Sequence, residues 1–282
     1  MQILKEKEAL RTQVRALKND QRSIGFVPTM GALHEGHLSL IKQALSTCDK
    51  VVVSIFVNPT QFNNLEDLQK YPRTLEKDVA LISQLSDDVI IFSPAASEMY
   101  GDSISSEEFS FDGLEHQMEG KYRKGHFNGV GTIVKRLFEM VEPDKAFFGE
   151  KDYQQLQIIR KLVEKQKLNV EVIGCPIYRE ENGLARSSRN ERLSPGERQN
   201  AAFIYQILQK VKSDFGIKSA QDITHWVSSQ FESQPGLQLE YFEIANADDL
   251  VSVQEEDMTK KYRAFIAAYS GDIRLIDNIA LN

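Results

Sequence analysis

Ile24-Gly25-Phe26-Val27, followed by Pro28-Thr29-Met30-Gly31-Ala32-Leu33-His34-Glu35-Gly36-His37, is the stretch on which the fold turns. The first four residues read as a strand and Pro28 stops it; Leu38, Ile41 and Leu45 then share one helical face. A strand that passes through a glycine-bearing turn into a helix opens a βαβ unit. The same alternation extends outward. Residues 51–57 are a continuous run of β-branched and aromatic residues but for Ser54, as expected of a strand buried on both faces. Residues 89–92, 145–148 and 169–173 repeat that pattern, with helical periodicity at 75–85, 130–141 and 153–165. This order predicts an α/β fold: a Rossmann-like parallel sheet with helices on both faces and right-handed crossovers. Ligands of such sheets bind beyond the carboxyl ends of strands, so chemistry belongs in the loops 28–37, 58–62 and 149–155.

Past Pro176 the character changes. Ser194-Pro195-Gly196-Glu197 is a capped helix start, and one long helix to about Lys212 should follow. Residues 239–245, 263–269 and 273–277 read as strands of a small mixed sheet. The expected division is a Rossmann-like domain over 1–177 and a smaller C-terminal α+β domain over 178–282.

Composition limits the functions open to such a chain. With 41% hydrophobic and 27% charged residues it has material for an ordinary globular core. No apolar run approaches the roughly 20 residues of a membrane span, and the N-terminus lacks a signal peptide's apolar stretch. A formal net charge of −7 argues against nucleic acid or an anionic membrane as partner. Cys48 and Cys175 form neither a disulfide framework nor a Cys-x-x-Cys zinc pair, which fits a reduced, cytoplasmic setting. Any phosphate site must therefore be a local cluster of cations and backbone donors.

The turn before His34 has the makings of one. Helix N-termini present free N–H groups and partial positive charge, and Gly31 and Gly36 let the backbone come close to a ligand. Imidazoles three apart lie on one face and can donate to phosphate oxygens that gain charge in a transition state. Zinc is the weaker reading, because metalloproteases space their histidines four apart; the plainest reading is a pair of helix-capping histidines. In the 58–62 loop Gln61 offers donors and acceptors to hydroxyls and a carboxylate, although Asn-Pro is also an ordinary turn dipeptide. In 149–155, Lys151 suits a phosphate and Asp152 ribose hydroxyls, with Gln155 a turn beyond; the alternative is a solvated helix start. Arg186-Ser187-Ser188-Arg189-Asn190 suits a triphosphate or is a basic surface loop. Arg123, His126 and Phe127 make one more polar cluster, in the loop before the 130–141 helix.

Read in order, PTMGALHEGH, NPTQF, YPRT with Asp78, HFNGVGT, FFGEKDYQQ and SSRN resemble the pantoate–β-alanine ligase (pantothenate synthetase) family over residues 28–190. The His-x-Gly-His element is also similar to that of the wider nucleotidylyltransferase superfamily, class I aminoacyl-tRNA synthetases included. The resemblance implies a two-step ligation. The pantoate carboxylate attacks the α-phosphorus of ATP, giving pantoyl adenylate and pyrophosphate; the amine of β-alanine then displaces AMP to give pantothenate. It implies an ATP site made by Met30, Gly31, Ala32, Leu33, His34, Glu35, Gly36 and His37, by Gly149, Glu150, Lys151, Asp152 and Tyr178, and by Arg186, Ser187, Ser188 and Arg189. Gln61, Gln155 and Arg123 fall to pantoate and β-alanine. His34, His37 and Lys151 are the catalytic candidates, with His37 assigned as proton donor and both imidazoles expected chiefly to donate to phosphate. Mg²⁺ accompanies ATP, held mostly by phosphate and water since no dedicated carboxylate cluster stands out. A homodimer is implied, and closure of the second domain over ATP follows from phosphate donors in both domains.

Arg186 replaces a usually apolar residue of the family pattern, and Lys124 stands where proline is common. A nucleotidylyltransferase of another small-molecule pathway is the alternative enzyme; its product would retain AMP. A class I tRNA synthetase is disfavoured by a short acidic chain without a lysine-rich second signature. A non-catalytic nucleotide sensor would have lost the phosphate-neutralising side chains that His34, His37, Lys151 and Arg189 supply.

Overall fold

A computed structural model describes residues 1–62, 65–253, 255 and 257–282, with residues 65 and 67 described in backbone only. In chain order its elements are β1 (Gln2–Leu4), α1 (Lys7–Asn19), β2 (Ile24–Thr29), α2 (Glu35–Thr47), β3 (Lys50–Ile55), α3 (Leu65–Lys70), α4 (Leu75–Ser83), β4 (Val89–Phe92), α5 (Ala96–Tyr100) and α6 (Met118–Tyr122). There follow α7 (His126–Val141), β5 (Lys145–Gly149), α8 (Tyr153–Gln166), β6 (Glu171–Cys175), α9 (Pro195–Ala201), α10 (Phe203–Asp214), α11 (Ala220–Glu232), β7 (Gln238–Asn246), β8 (Tyr262–Ser270) and β9 (Ile273–Ala280).

Two compact units emerge. The first comprises Met1–Glu115, Glu119–Glu150 and Gln155–Pro176; the second comprises His116–Met118, Lys151–Gln154 and Ile177–Asn282. Against a division after residue 177, the chain thus places two short earlier segments, Lys151 among them, in the second unit.

The first unit is the α/β fold expected of its pattern. Six strands run in the order β1-β4-β3-β2-β5-β6, every adjacent pair parallel. Alternation fixes which residue meets which layer: Val27, Val51, Val53 and Ile91 pack with Leu40, Ile41 and Ala44 of α2, while Phe26, next along β2, meets Phe138 of α7 edge to face on the other side. The chain steps from β2 out to β3 and β4, then returns to lay β5 on the opposite side of β2. That reversal puts the topological switch point between β2 and β5.

Several expectations are corrected. β2 runs through Pro28 to Thr29; beyond Phe26 it pairs only with β3, so the proline costs no ladder bond on the β5 side. Ile24–Thr29 is not the first strand, because Gln2–Leu4 pairs with β4 at the sheet edge. The 169–173 strand lies two residues later, at Glu171–Cys175. Helix α7 begins at His126, so the Arg123–His126 cluster ends in a helix start.

In the second unit the sheet is wholly antiparallel, β7-β8-β9, and not mixed. The Ser270↔Ile273 pair is closed by a two-residue turn with Gly271 at φ +58°, and such a turn can only join antiparallel strands. The expected long helix is two, α9 and α10. At Ala202 the bonding tightens to i→i+3, from Ala202 N–H to Gln199 O and from Tyr205 N–H to Ala202 O, which breaks the run. Helix α11 has no counterpart in the sequence reading, although Ser219 caps it and Ile223, Val227 and Phe231 bury one stripe. Both α10 and α11 pack on the sheet.

Candidate active site

The turn after β2 is held from below. The Thr29 hydroxyl donates to Ser54 O (2.7 Å) and accepts from Gly31 N–H (3.2 Å). Gly31 has φ +84°, where a side chain is strained, and a Cβ there would press to 3.1 Å from Asp78 Oδ2, so both counts favour glycine. Ala32, at φ +50°, adopts a left-handed conformation rare for a residue with a side chain. It is stabilised there by Asp78, a buried carboxylate of α4 that accepts from Ala32 N–H (3.1 Å) and Leu33 N–H (2.8 Å).

The two histidines cap α2 reciprocally. His34 Nδ1 accepts from Gly36 N–H (3.2 Å), and His37 Nδ1 accepts from His34 N–H (3.3 Å). Their ring centroids lie 4.1 Å apart. Because backbone N–H groups only donate, each Nδ1 must be unprotonated, and the proton of each neutral ring resides on Nε2. This corrects the sequence reading in one respect. The N–H groups of residues 31–34 and 36 all donate to protein acceptors, so the turn's own backbone donors are largely used within the protein. Leu33 belongs to the core cluster, and Glu35 is exposed.

Asn58, which the sequence reading passes over as a turn residue, organises the next loop. Its buried amide donates to Gln61 Oε1 and to Gly129 O, each at 3.1 Å, and accepts from Tyr100 OH at 2.5 Å. With Gln61 Oε1 accepting from Asn58, the Gln61 Nε2 carries the donors. Burial pushes the Tyr100 hydroxyl above its ordinary pKa and keeps it a neutral donor. The Gln61 carbonyl accepts from His126 Nδ1 (3.0 Å) and Arg123 Nη2 (3.3 Å), so Arg123 and His126 brace the loop that presents Gln61. Lys124 is exposed.

After β5, Gly149 has open space where a Cβ would be. Glu150 Oε1 lies toward β6, 3.5 Å from the position a Gly174 Cβ would take, and raises the buried Cys175 thiol, itself pushed by burial to about 11. Gln155, on α8, is half-buried.

In the second unit Lys151 is largely buried, its ammonium 3.7 Å from the Asp152 carboxylate. Ser187 caps the 3₁₀ turn Ser188–Arg192, accepting from Arg189 N–H at 3.3 Å. Arg186 is committed to carboxylates: its Nη1 lies 2.7 Å from Glu191 and 3.8 Å from Glu180. Glu180, bound also by Arg198 and Asn190, is held below the usual carboxylate range, chiefly by the Arg198 hydrogen bonds. Arg186 thus secures the Ser187–Arg189 segment from within. Tyr178, with an exposed ring, uses its carbonyl to accept from Arg186 N–H (2.9 Å). Among the described residues no three His, Cys, Asp or Glu side chains group as metal ligands.

A profile of the pantoate-beta-alanine ligase family matches residues 2–280. The chain belongs to that family. It is 61% identical over 282 residues to the pantothenate synthetase of Christiangramia forsetii, covering 100% of both chains. Its identity to the Flavobacterium psychrophilum pantothenate synthetase is 55% over 281 residues, again covering 100% of both. Among solved structures, Thermus thermophilus pantothenate synthetase superposes with a TM-score of 0.91 at 37% identity, over 100% of this chain and 99% of that one. The Francisella tularensis pantoate-beta-alanine ligase, complexed with beta-gamma ATP and beta-alanine, gives 0.83 at 37%, over 100% and 98%.

Within this ligase fold two side chains matter that sequence reasoning left without a role, Asn58 and Asp78. Both are 1% exposed. The signal available for each was a polar residue inside an otherwise apolar helical or strand-end pattern.

Proposed function

We infer that the chain condenses (R)-pantoate with β-alanine at the expense of ATP, through a pantoyl adenylate, releasing pyrophosphate and then AMP. The observation that carries this reading is the reciprocal cap of His34 and His37 at the carboxyl end of β2, in a chain matched by the ligase family almost end to end. When the pantoate carboxylate attacks the α-phosphorus, negative charge grows on the phosphate oxygens and the departing pyrophosphate. Imidazoles fixed with Nδ1 as acceptor offer Nε2–H to that charge. Such rings donate without having to give up a proton, so proton transfer by His37 is dispensable to the first step. Lys151, Ser187, Ser188 and Arg189 are the further phosphate ligands, and Asp152 the ribose acceptor. Gln61, its Nε2 donors set by Asn58, holds pantoate oxygens together with Gln155. In the second step the β-alanine amine attacks the acyl carbon and AMP leaves, which demands positioning more than covalent chemistry.

Among the described residues no cluster of protein ligands stands out, so Mg²⁺ would travel with the triphosphate on phosphate oxygens and water. No described helix is long and apolar enough to cross a membrane. A cytoplasmic homodimer acting on small molecules is what the family resemblance implies.

The test is product release with each substrate omitted in turn. Pyrophosphate should require ATP and pantoate, and AMP should require β-alanine as well. Pyrophosphate release independent of pantoate would overturn the reading, and a product that keeps AMP would indicate a nucleotidylyltransferase.

A further inference from the structure

The C-terminal sheet carries a buried polar network with no part in its own hydrophobic core. Asp277 and Asn278 of β9 and Arg263 of β8 are 4%, 2% and 7% exposed, in strands where an apolar residue would cost less. Asp277 takes Arg179 in a two-point pair (2.6 and 3.0 Å), and Arg179 stacks 3.8 Å over the Tyr205 ring. The Asp277 carboxylate also accepts from Asn278 N–H (2.7 Å). Asn278 is thereby fixed in backbone, and its side chain is oriented by chemistry. Arg263 Nη1 donates to Asn278 Oδ1, and a guanidinium has no acceptor, so the amide cannot be reversed. Its Nδ2 must point the other way, where it donates to the backbone carbonyl of Lys151 at 2.8 Å. Arg263 also stacks on the residue that follows the turn, its guanidinium 4.0 Å over the ring of Tyr153 at the start of α8.

Lys151, Tyr153, Asn278 and Arg263 all belong to the second unit, so the contacts just described are internal to it. Lys151 sits in a single 3₁₀ turn, Glu150–Asp152, which has too few bonds of its own to set a backbone. What fixes the carbonyl of Lys151 also fixes the direction in which its side chain leaves the turn.

We propose that Asn278, oriented by Arg263, is a positioning residue for adenylate formation: it holds the Lys151 turn so that the ammonium meets the phosphates. The proposal rests on the reading of Lys151 as a phosphate ligand. It assigns a catalytic purpose to polar groups that the sheet would otherwise be more stable without.

The experiment separates the two half-reactions. Asn278→Asp preserves shape and the acceptor for Arg263, but turns an oxygen on the Lys151 carbonyl. It should slow single-turnover pyrophosphate release by roughly 10- to 100-fold, the scale of an ångström-level misplacement. Amide formation from supplied pantoyl adenylate should keep its wild-type rate. In combination with Lys151→Ala, the double variant should be no slower than Lys151→Ala alone, since one residue acts through the other. Should the added carboxylate prevent folding, Asn278→Ala removes the donor without charge and is read in the same way. Additive effects, or equal slowing of both half-reactions together with a lowered melting temperature, would mark Asn278 as merely structural and sink the proposal. Wild-type adenylation in Lys151→Ala would remove the phosphate role of Lys151 and this proposal with it; slow Lys151→Ala beside fast Asn278→Asp would remove this proposal alone.

Discussion

Asp78 shows how much one side chain can hold. It accepts the N–H groups of Ala32 and Leu33 and the hydroxyl of Thr74, and so keeps a non-glycine residue at φ +50°. Without its second oxygen a buried N–H has no acceptor, at about 1–3 kcal/mol. Asp78→Asn presents an NH₂ to one of the two N–H donors. It should therefore lower stability by that amount in a urea melt and slow pantoate-dependent pyrophosphate release about tenfold or more through loss of the turn geometry. An unchanged urea midpoint would show that the turn does not depend on the carboxylate. The histidines make the complementary point. His34 and His37 are capping residues and phosphate-donor candidates at once, because using Nδ1 for the cap leaves the ring proton on Nε2.

Helix α7 and the Asn58–Gln61 loop meet where neither has a side chain to spare. A Cβ on Gly129 would lie 2.2 Å from Thr60 O and 2.6 Å from Thr60 C, both backbone atoms that cannot swing aside. Gly129→Ala must push the loop away from the helix, which overpacking places at about 1–3 kcal/mol. The displaced loop carries Gln61, so the KM for pantoate should rise while the KM for ATP stays. A raised KM for ATP with that for pantoate unchanged would detach the loop from pantoate. The HFNGVGT segment thus reads as a packing element: Gly129 permits close approach, and His126 holds the Gln61 carbonyl.

For the molecule as a whole, the net charge of −7 says little about acid sensitivity; what matters is which carboxylates the fold holds ionised. Glu180 is one, lowered from 4.5 by Arg198 first and then by Asn190 and Arg186. A folded pKa below the unfolded one means that its contribution is complete above about pH 4.5 and fades as pH falls through the depressed value. Glu180→Gln should therefore lower the melting temperature at pH 7 and flatten its decline below pH 4.5. Parallel curves for variant and wild type through that range would exclude Glu180 as a source of the acid sensitivity. The network it anchors holds Arg186 and Asn190 on either side of Ser187–Arg189, so its loss should also weaken ATP binding.

The sequence by itself determined the α/β layer order and displayed the six short motifs, whose resemblance to a known family implies the reaction. These depend on local periodicity and on residue types within a few positions of one another, which a chain displays without folding. It missed what depends on distant partners. Strand β1 is only three residues long and exists because β4 offers it an edge; Pro28 stays in β2 because its open side has no partner to lose. Strands β8 and β9 are antiparallel because of a turn geometry at Gly271, invisible to hydrophobic pattern. Asp78 lies 46 residues from Ala32, and Asn278 lies 127 from Lys151. Only the tertiary structure could bring such pairs to hydrogen-bonding distance, since the free energy of a buried polar contact is set by the burial that surrounds it.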